Sequence, residues 1–318
     1  MKVTQHIAGS KGKTLFSFEI LPPVKGKSID SLYKTLDPLM EFKPAFINVT
    51  YHRSEQTFKK RSDGSFERID IRKRPGTVGI CAAIMNHYRV DAVPHLICGG
   101  FSKDETENAL IDLNFLGIDN VLALRGDPPK NEKYFSPDPH GHNYAIDLVK
   151  QIKRLNEGYY LEEEISDGTK TDFCIGVAGY PEKHYECPNP DLDLMFLKNK
   201  IEAGAHYITT QMFFNNDRYH RFVEKCREMN ISTPVIPGLK PLSSLKQLNT
   251  IPSLFHVDIP NELALEMMKC RNEKDTEKVG TEWLLAQARD LIKAGAPVIH
   301  FYTLGKPNIV YQVMKEIA

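Results

Sequence analysis

The chain has 318 residues, which suits one large α/β barrel or two ordinary domains, so length alone does not choose. Lys and Arg together number 41, as do Asp and Glu, and a net charge of zero argues against a general nucleic-acid or membrane partner. Met1-Lys-Val-Thr-Gln-His6 lacks the apolar run of a signal peptide, and no stretch approaches the ~20 apolar residues of a membrane span. The expected location is the cytoplasm. Six cysteines, Cys81, Cys98, Cys174, Cys187, Cys226 and Cys270, form no C-x-x-C pair, which argues against a disulfide framework and a structural zinc site. Most are expected to be reduced and several buried.

Thr14-Leu-Phe-Ser-Phe-Glu-Ile20 alternates and is rich in aromatics, so it reads as a strand ended by Pro22 and Pro23, with Glu19 near its carboxyl end. Leu32, Leu36, Leu39 and Met40 then repeat at the spacing of a helix packed on a sheet. Ala45-Phe-Ile-Asn-Val-Thr-Tyr51 is the second strand and carries Thr50. The charged connection from Arg53 to Arg74, with a turn at Asp63-Gly64, reads as a solvated excursion, a polar insertion near 53–77. Residues 78–88 are predicted helical, and Ala92-Val-Pro-His-Leu-Ile-Cys98 gives a third strand bearing His95. Ser102-Lys-Asp-Glu105 is a capping box opening a helix that Gly117 stops.

The stretch Asn120-Val-Leu-Ala-Leu-Arg-Gly-Asp-Pro-Pro129 is the most informative. Its apolar run is that of a parallel strand buried on both faces, and Arg125, Gly126 and Asp127 arrive together before two prolines forbid continuation. A cation, a bare backbone and a carboxylate are thus delivered to a strand's carboxyl end, where β/α folds bind ligands, and the glycine admits a flat ring or a phosphate.

Ala145, Leu148, Val149 and Ile152 mark the next helix, and the polar, acidic segment 156–172 reads as a second insertion. Phe173 to Tyr180, Tyr207 to Phe213, Pro234 to Gly238 and Val298 to Thr303 complete eight strands, with helices marked by Leu194, Leu197 and Ile201, by Phe222 and Cys226, and by Trp283 to Ala294. Leu116-Gly117-Ile118, Ala203-Gly204-Ala205 and Ala294-Gly295-Ala296 each end a helix just before a buried strand, a faint repeat of two β/α units. A single (β/α)8 barrel over residues 1–318 is the preferred α/β fold. A doubly wound sheet is disfavoured because no G-x-G-x-x-G follows any strand.

In such a barrel one rim collects Glu19, Thr50, His95, Arg125, Asp127, Tyr180, Gln211 and Tyr302. Each alone has a bland reading as a solvated cap, a core histidine or a loop tie. The set together offers two carboxylates, neutral hydrogen-bonding groups and one fixed cation, with no metal-ligand spacing and no nucleophile elbow, so it resembles an organic-cofactor pocket.

Phe16-Ser-Phe-Glu-Ile-Leu-Pro-Pro23, Asn48-Val-Thr-Tyr51, Pro94-His-Leu-Ile-Cys98, Ala123-Leu-Arg-Gly-Asp-Pro-Pro129, Gly179-Tyr-Pro-Glu182, Thr210-Gln-Met-Phe213, Ile236-Pro-Gly238 and His300-Phe-Tyr-Thr-Leu304 resemble, in order and over essentially the whole chain, the methylenetetrahydrofolate reductases. The resemblance implies a barrel with non-covalent FAD that reduces 5,10-methylenetetrahydrofolate to 5-methyltetrahydrofolate with NADH or NADPH, in one-carbon metabolism and methionine biosynthesis. It implies a homo-oligomer as well. Glu19 matches the acid that protonates N10 as the folate ring opens. Such an acid needs a raised pKa, for which neighbouring Phe16, Phe18, Ile20 and Leu21 are suitably apolar. Asp127 matches the carboxylate beside the flavin that also holds the pterin. Thr50, Tyr51, His95, Arg125, Gly126, Tyr144, Ala145, Tyr180, His184, Asp193 and Lys200 fall on FAD-contact positions, and Gln211, Gln247 and Lys306 on folate-contact positions.

Phe196 and Asn199 depart from the pattern, standing where bacterial relatives often place a polar and a basic residue near the FAD diphosphate and adenosine. Lys306 replaces an arginine, which keeps the charge but loses the bidentate fork. Animal-type relatives carry a regulatory domain after the barrel, so with only residues 305–318 following Leu304 the expectation is no control by S-adenosylmethionine. Two other readings are a flavin-free barrel lyase of the Schiff-base type, which needs a lysine inside the barrel, and a non-enzymatic folate-binding protein.

Overall fold

The computed structural model describes residues 1–128, 132, 134–165, 167–303 and 307–318, apart from the side chains of Gln56 and Asp70. Helix α1 (Val3–Gly9) leads into strand β1 (Leu15–Ile20), followed by α2 (Asp30–Met40) and β2 (Phe46–Val49). An antiparallel pair, β3 (Glu55–Lys60) and β4 (Phe66–Ile71), precedes α3 (Thr77–Tyr88), β5 (Asp91–Ile97), α4 (Lys103–Phe115) and β6 (Asn120–Leu124). The chain continues through α5 (Ala145–Asn156), β7 (Cys174–Gly179), α6 (Pro190–Glu202), β8 (Tyr207–Met212), α7 (Asn216–Glu228) and β9 (Val235–Leu239). It ends with α8 (Gln247–Phe255), α9 (Asn261–Lys269), α10 (Glu273–Lys293), β10 (Val298–Tyr302) and α11 (Pro307–Ile317).

Strands β1, β2, β5, β6, β7, β8, β9 and β10 pair in that order, and β10 closes on β1, giving the expected closed parallel barrel with helices outside. Alternation along each strand sends one set of side chains inward and the other to the helices. Phe18, Ile20, Ile47, Val49 and Val121 point outward into a core shared with Leu32, Leu36, Leu110 and Leu148 of the helices. Leu15, Phe46, Val93, Leu122, Cys174, Tyr207, Ile236 and Val298, one from each barrel strand, fill the interior at the amino-terminal end. Tyr207 reaches across this layer over Gly176, where an added Cβ would lie 2.2 Å from the ring carbon Cζ.

Local signals explain the helix ends. Ser102 accepts from the Glu105 N–H at 3.1 Å while Glu105 accepts from the Ser102 N–H at 2.8 Å, so the capping box that opens α4 is complete. Gly117, Gly204 and Gly295 take positive φ values of 70°, 122° and 78° just past α4, α6 and α10, the left-handed turn that returns the chain to a strand.

Three expectations are revised. The charged connection after β2 is a hairpin, turned at Asp63-Gly64, because residues on either side can pair in register from Glu55 with Ile71 to Lys60 with Phe66. It is tied to the loop after β1 by Arg74 on the Pro22 carbonyl and by the Lys25 N–H on the Lys73 carbonyl. Helix α10 starts at Glu273 instead of Trp283: its polar first half hides the helical spacing, but Asn272 caps it and Thr276 and Gly280 bury against the Ser243–Leu242 backbone. At the chain start, the seven-residue α1 was not foreseen, being too short to show periodicity. It plugs the barrel floor with fully buried Val3, while Asn120 accepts from the Val3 N–H at 2.8 Å and Asp91 pairs with the terminal ammonium at 2.6 Å. Among the described residues no helix is long and apolar enough to cross a membrane.

Candidate active site

Parallel strands leave their carboxyl ends facing one mouth, and Glu19, at the end of β1, is the centre of what gathers there. Parity settles its neighbours: Phe16, Phe18 and Ile20 belong to the outer layer, whereas Ser17 and Glu19 point inward. Three of the four apolar neighbours named from the sequence, Phe16, Phe18 and Ile20, therefore lie on the other face of the sheet. Glu19 is 6% exposed, and its Oε2 lies 3.5 Å from Nε2 of both His95 on β5 and His300 on β10. Its Oε1 accepts from the Thr50 hydroxyl at 3.0 Å, and its backbone carbonyl accepts from the Thr303 hydroxyl at 2.6 Å. Burial alone would push the carboxyl up, but His95, His300 and Thr50 outweigh it and hold Glu19 below its usual 4.5. The raised value expected of an isolated acid does not obtain.

Behind this carboxylate the interior is polar and closed. Ser17 Oγ and His300 Nδ1 are 2.8 Å apart, and Asn48 Nδ2 lies 3.3 Å from His95 Nε2. Burial lowers His95 from the usual histidine value, partly opposed by Glu19. Ser17, Asn48 and His300 are absent from the sequence-derived rim, yet each stands two residues before a rim residue, Glu19, Thr50 and Tyr302. That step back by one strand period is the signal that could have found them.

A second group forms around β6 and β7. Arg125 pairs with Glu186 at 2.5 Å and lies over the Phe135 ring at 4.9 Å, while Gly126 takes φ +87° beside Ile97. Asp127 is exposed at the mouth, yet enough protein surrounds it that burial raises its carboxyl, with Arg125 and His256 pulling down. Tyr180 and His184 meet edge to face at 4.8 Å, and the His184 N–H donates to Asp193 at 3.0 Å. Burial, with Arg125 nearby, pushes the His184 imidazole down to about 4. Lys200 donates to the Ala178 carbonyl at 2.8 Å, and its burial lowers it to about 8 against the pull of Asp193. Glu186 and His256, stacked on Tyr185 at 4.3 Å, join this group without having been singled out in the sequence.

Other expected residues sit at the periphery. Tyr51 packs on Phe101 at 4.8 Å with Arg72 over its ring, and Tyr144, 61% exposed, precedes Ala145 at the start of α5. Gln211 turns its amide oxygen to the Met212 N–H at 2.9 Å, and Gln247 turns its own to Ser243 and Ser244, so a ligand would meet the NH2 ends. Phe196 is 50% exposed on α6. Lys306 and Leu304 lie outside the described residues. Lys240, one residue beyond β9, is 7% exposed, so a buried lysine does exist near the rim although no barrel strand carries one.

The atoms present suit a phosphorylated aromatic cofactor. Arg53 Nη1 is buried without a hydrogen-bond partner among the described residues, close to where a Cβ on Gly99 would stand, and such a nitrogen calls for an acceptor. Arg125, the open backbone at Gly126 and the rings of Tyr51, Phe101, Phe135 and Tyr180 lie on the same rim.

Comparison with known families matches residues 2–318 to one described as methylenetetrahydrofolate reductase. The 5,10-methylenetetrahydrofolate reductase of Escherichia coli (strain K12) is 31% identical over 313 residues, covering 98% of this chain and 93% of that protein. The methylenetetrahydrofolate reductase (NADH) 1 of Arabidopsis thaliana is 31% identical over 317 residues, covering 96% of this chain and 48% of that protein. The chain thus spans about half the length of the plant and nematode relatives it matches. Among solved structures, an uncharacterized protein from Clostridium thermocellum that binds two copies of 5-methyl-5,6,7,8-tetrahydrofolic acid superposes with a TM-score of 0.57 at 14% identity, covering 99% of this chain and 98% of that one, a likeness of fold.

Proposed function

The chain belongs to the methylenetetrahydrofolate reductase family, and from that premise we propose that it reduces 5,10-methylenetetrahydrofolate to 5-methyltetrahydrofolate with NADH or NADPH, through non-covalent FAD, in a ping-pong cycle. The observation that carries the reading is Glu19. A carboxyl 6% exposed, held at the mouth by Thr50 and two histidines, is placed to exchange a proton with a ligand.

Glu19 delivers a proton to N10 as the folate's five-membered ring opens, leaving a carbon ready to be reduced. Thr50 fixes the carboxyl through Oε1, so that Oε2 takes part in the transfer. Asp127 holds the pterin and keeps a negative charge beside the cofactor. Arg125, Gly126, Thr50, Tyr51, His95, Tyr144, Ala145, Tyr180, His184, Asp193 and Lys200 would hold FAD, and Gln211, Gln247 and Lys306 the folate. FAD, when bound, supplies the two-electron carrier between nicotinamide and folate. A homo-oligomer in the cytoplasm completes the proposal.

The test begins with the visible spectrum of the purified protein: a yellow protein bleached by NADH or NADPH and recoloured by methylenetetrahydrofolate is expected. Relative bleaching rates rank the two nicotinamides. Protein that is colourless, and stays so when mixed with FAD, would remove the flavoenzyme reading and favour a lyase or a binding protein.

A further inference from the structure

Three cations on the β6–β7 side of the mouth are already engaged. Arg125 pairs with Glu186 at 2.5 Å, and Lys200 donates to the Ala178 carbonyl at 2.8 Å and faces Asp193. The Lys183 ammonium reaches the carbonyls of His184, Tyr185 and Cys187 at 3.2, 3.4 and 2.7 Å. Arg53, in the loop after β2, differs: its side chain is half-buried, and Nη1 is shut away from solvent with no hydrogen-bond partner among the described residues. A guanidinium cannot shed its charge by losing a proton, so a buried N–H of this kind costs free energy until something supplies an acceptor. We propose that Arg53 is a phosphate-binding residue whose Nη1 donates to the diphosphate of the flavin cofactor. This rests on the reading of the protein as an FAD enzyme.

The surroundings of that nitrogen are built from two glycines and a ring. A Cβ on Gly99 would stand 3.3 Å from Arg53 Nη1, 3.2 Å from the Phe135 ring carbon Cε2 and 3.9 Å from the Arg125 carbonyl. Any side chain there would crowd the guanidinium, and glycine leaves it room. Gly100 follows at φ +80°, where a Cβ would meet the Arg53 Cβ at 3.6 Å, so the arginine stem runs beside the loop after β5. On the Phe135 ring lies the Arg125 guanidinium, 4.9 Å from the centroid. Two guanidinium groups therefore approach one aromatic ring, one neutralised by Glu186 and the other with a nitrogen still lacking an acceptor.

The backbone that carries Arg53 is fixed on both sides. Three residues earlier Thr50 donates to Glu19, and two residues later β3 begins at Glu55. The hairpin returns through Arg72, 6.0 Å over the Tyr51 ring, and Arg74, which donates to the Pro22 carbonyl. Little order remains to be imposed when a ligand arrives, which favours tight binding. A phosphate oxygen gives the buried nitrogen an ionised acceptor, and the planar fork of arginine can meet two such oxygens at once.

The experiment titrates the flavin-free protein with FAD and with riboflavin, which carries the same ring without phosphate, following flavin fluorescence at several salt concentrations. Arg53→Met keeps an aliphatic stem and removes every donor. Its Kd for FAD should rise by ~10–100-fold while that for riboflavin stays within about twofold, and its FAD affinity should fall less steeply with salt. Arg53→Lys should keep the salt dependence and recover part of the affinity. Thermal unfolding separates binding from folding: without FAD the Met variant should unfold no earlier than wild type, having lost a buried donor that nothing satisfies, yet its Tm should rise less at a given FAD concentration. Early unfolding of the flavin-free variant, with FAD and riboflavin weakened alike, would make Arg53 a structural residue and overturn the proposal. So would unchanged FAD binding with a raised KM for methylenetetrahydrofolate, which would give the guanidinium to a substrate carboxylate. Wild-type protein that takes up no FAD would defeat the flavoenzyme reading itself, and the assignment with it.

Discussion

Replacing Glu19 by Gln keeps the volume and an oxygen for the Thr50 hydroxyl, but removes the charge that His95 and His300 face at 3.5 Å. At that separation an imidazolium and the carboxylate would attract by about 5 kcal/mol at an effective dielectric of ~20, an upper bound that burial of both groups offsets, His95 itself lying below its usual value. The net sign follows from Glu19 lying below its usual 4.5. A depressed carboxyl adds stability that is complete above its unfolded value and is lost as pH falls through the folded one. Urea unfolding should accordingly find Glu19→Gln less stable than wild type at neutral pH, with the gap closing in acid below pH 4.5. In catalysis, loss of a general acid costs ~10²–10⁴-fold, and the loss should fall on the folate half-reaction, because reduction of the cofactor by nicotinamide needs no acid from Glu19. Stopped-flow traces of the two half-reactions decide. Equal losses in both would show that Glu19 holds the cofactor or the fold and would refute the reasoning.

Asp127→Asn removes a carboxylate at the mouth while keeping its size; a loss of about 1 kcal/mol of repulsion should raise the bound flavin's two-electron potential by ~20 mV. Potentiometric titration of both proteins checks this, and an unchanged or lower potential would leave Asp127 with a binding role only. Gly176→Ala should destabilise the barrel by ~1–3 kcal/mol without changing the cofactor spectrum, because the added methyl meets the Tyr207 ring at 2.2 Å; a paired Tyr207→Leu should recover part of that loss in thermal unfolding.

The barrel itself is written in local signals. Uninterrupted apolar runs such as Val121 to Leu124, helix stripes such as Leu32, Leu36 and Leu39, and the helix-ending glycines at 117, 204 and 295 each depend on a few adjacent residues. The eight strands follow from them, and so does the rim, since the last residue of a parallel strand has only one place to go. Helix α1 and the hairpin β3–β4 were not legible in the same way: one is too short for periodicity, and the other pairs residues whose charges read as solvated.

What the sequence could not supply is the environment of each rim residue. Phe16, Phe18 and Ile20 adjoin Glu19 along the chain and lie on the other face of the sheet, while His95 and His300 are distant in sequence and lie 3.5 Å from it. Sequence neighbours predicted an apolar pocket that raises the carboxyl; spatial neighbours hold it down. The pairing of Arg125 with Glu186 and the stacking of Tyr185 on His256 depend in the same way on loops from different strands meeting at one mouth. Chain order determines which residues reach the rim, because strand direction and parity are local properties. Which charges then face one another is fixed by barrel closure alone, because electrostatic energy depends on distance through space.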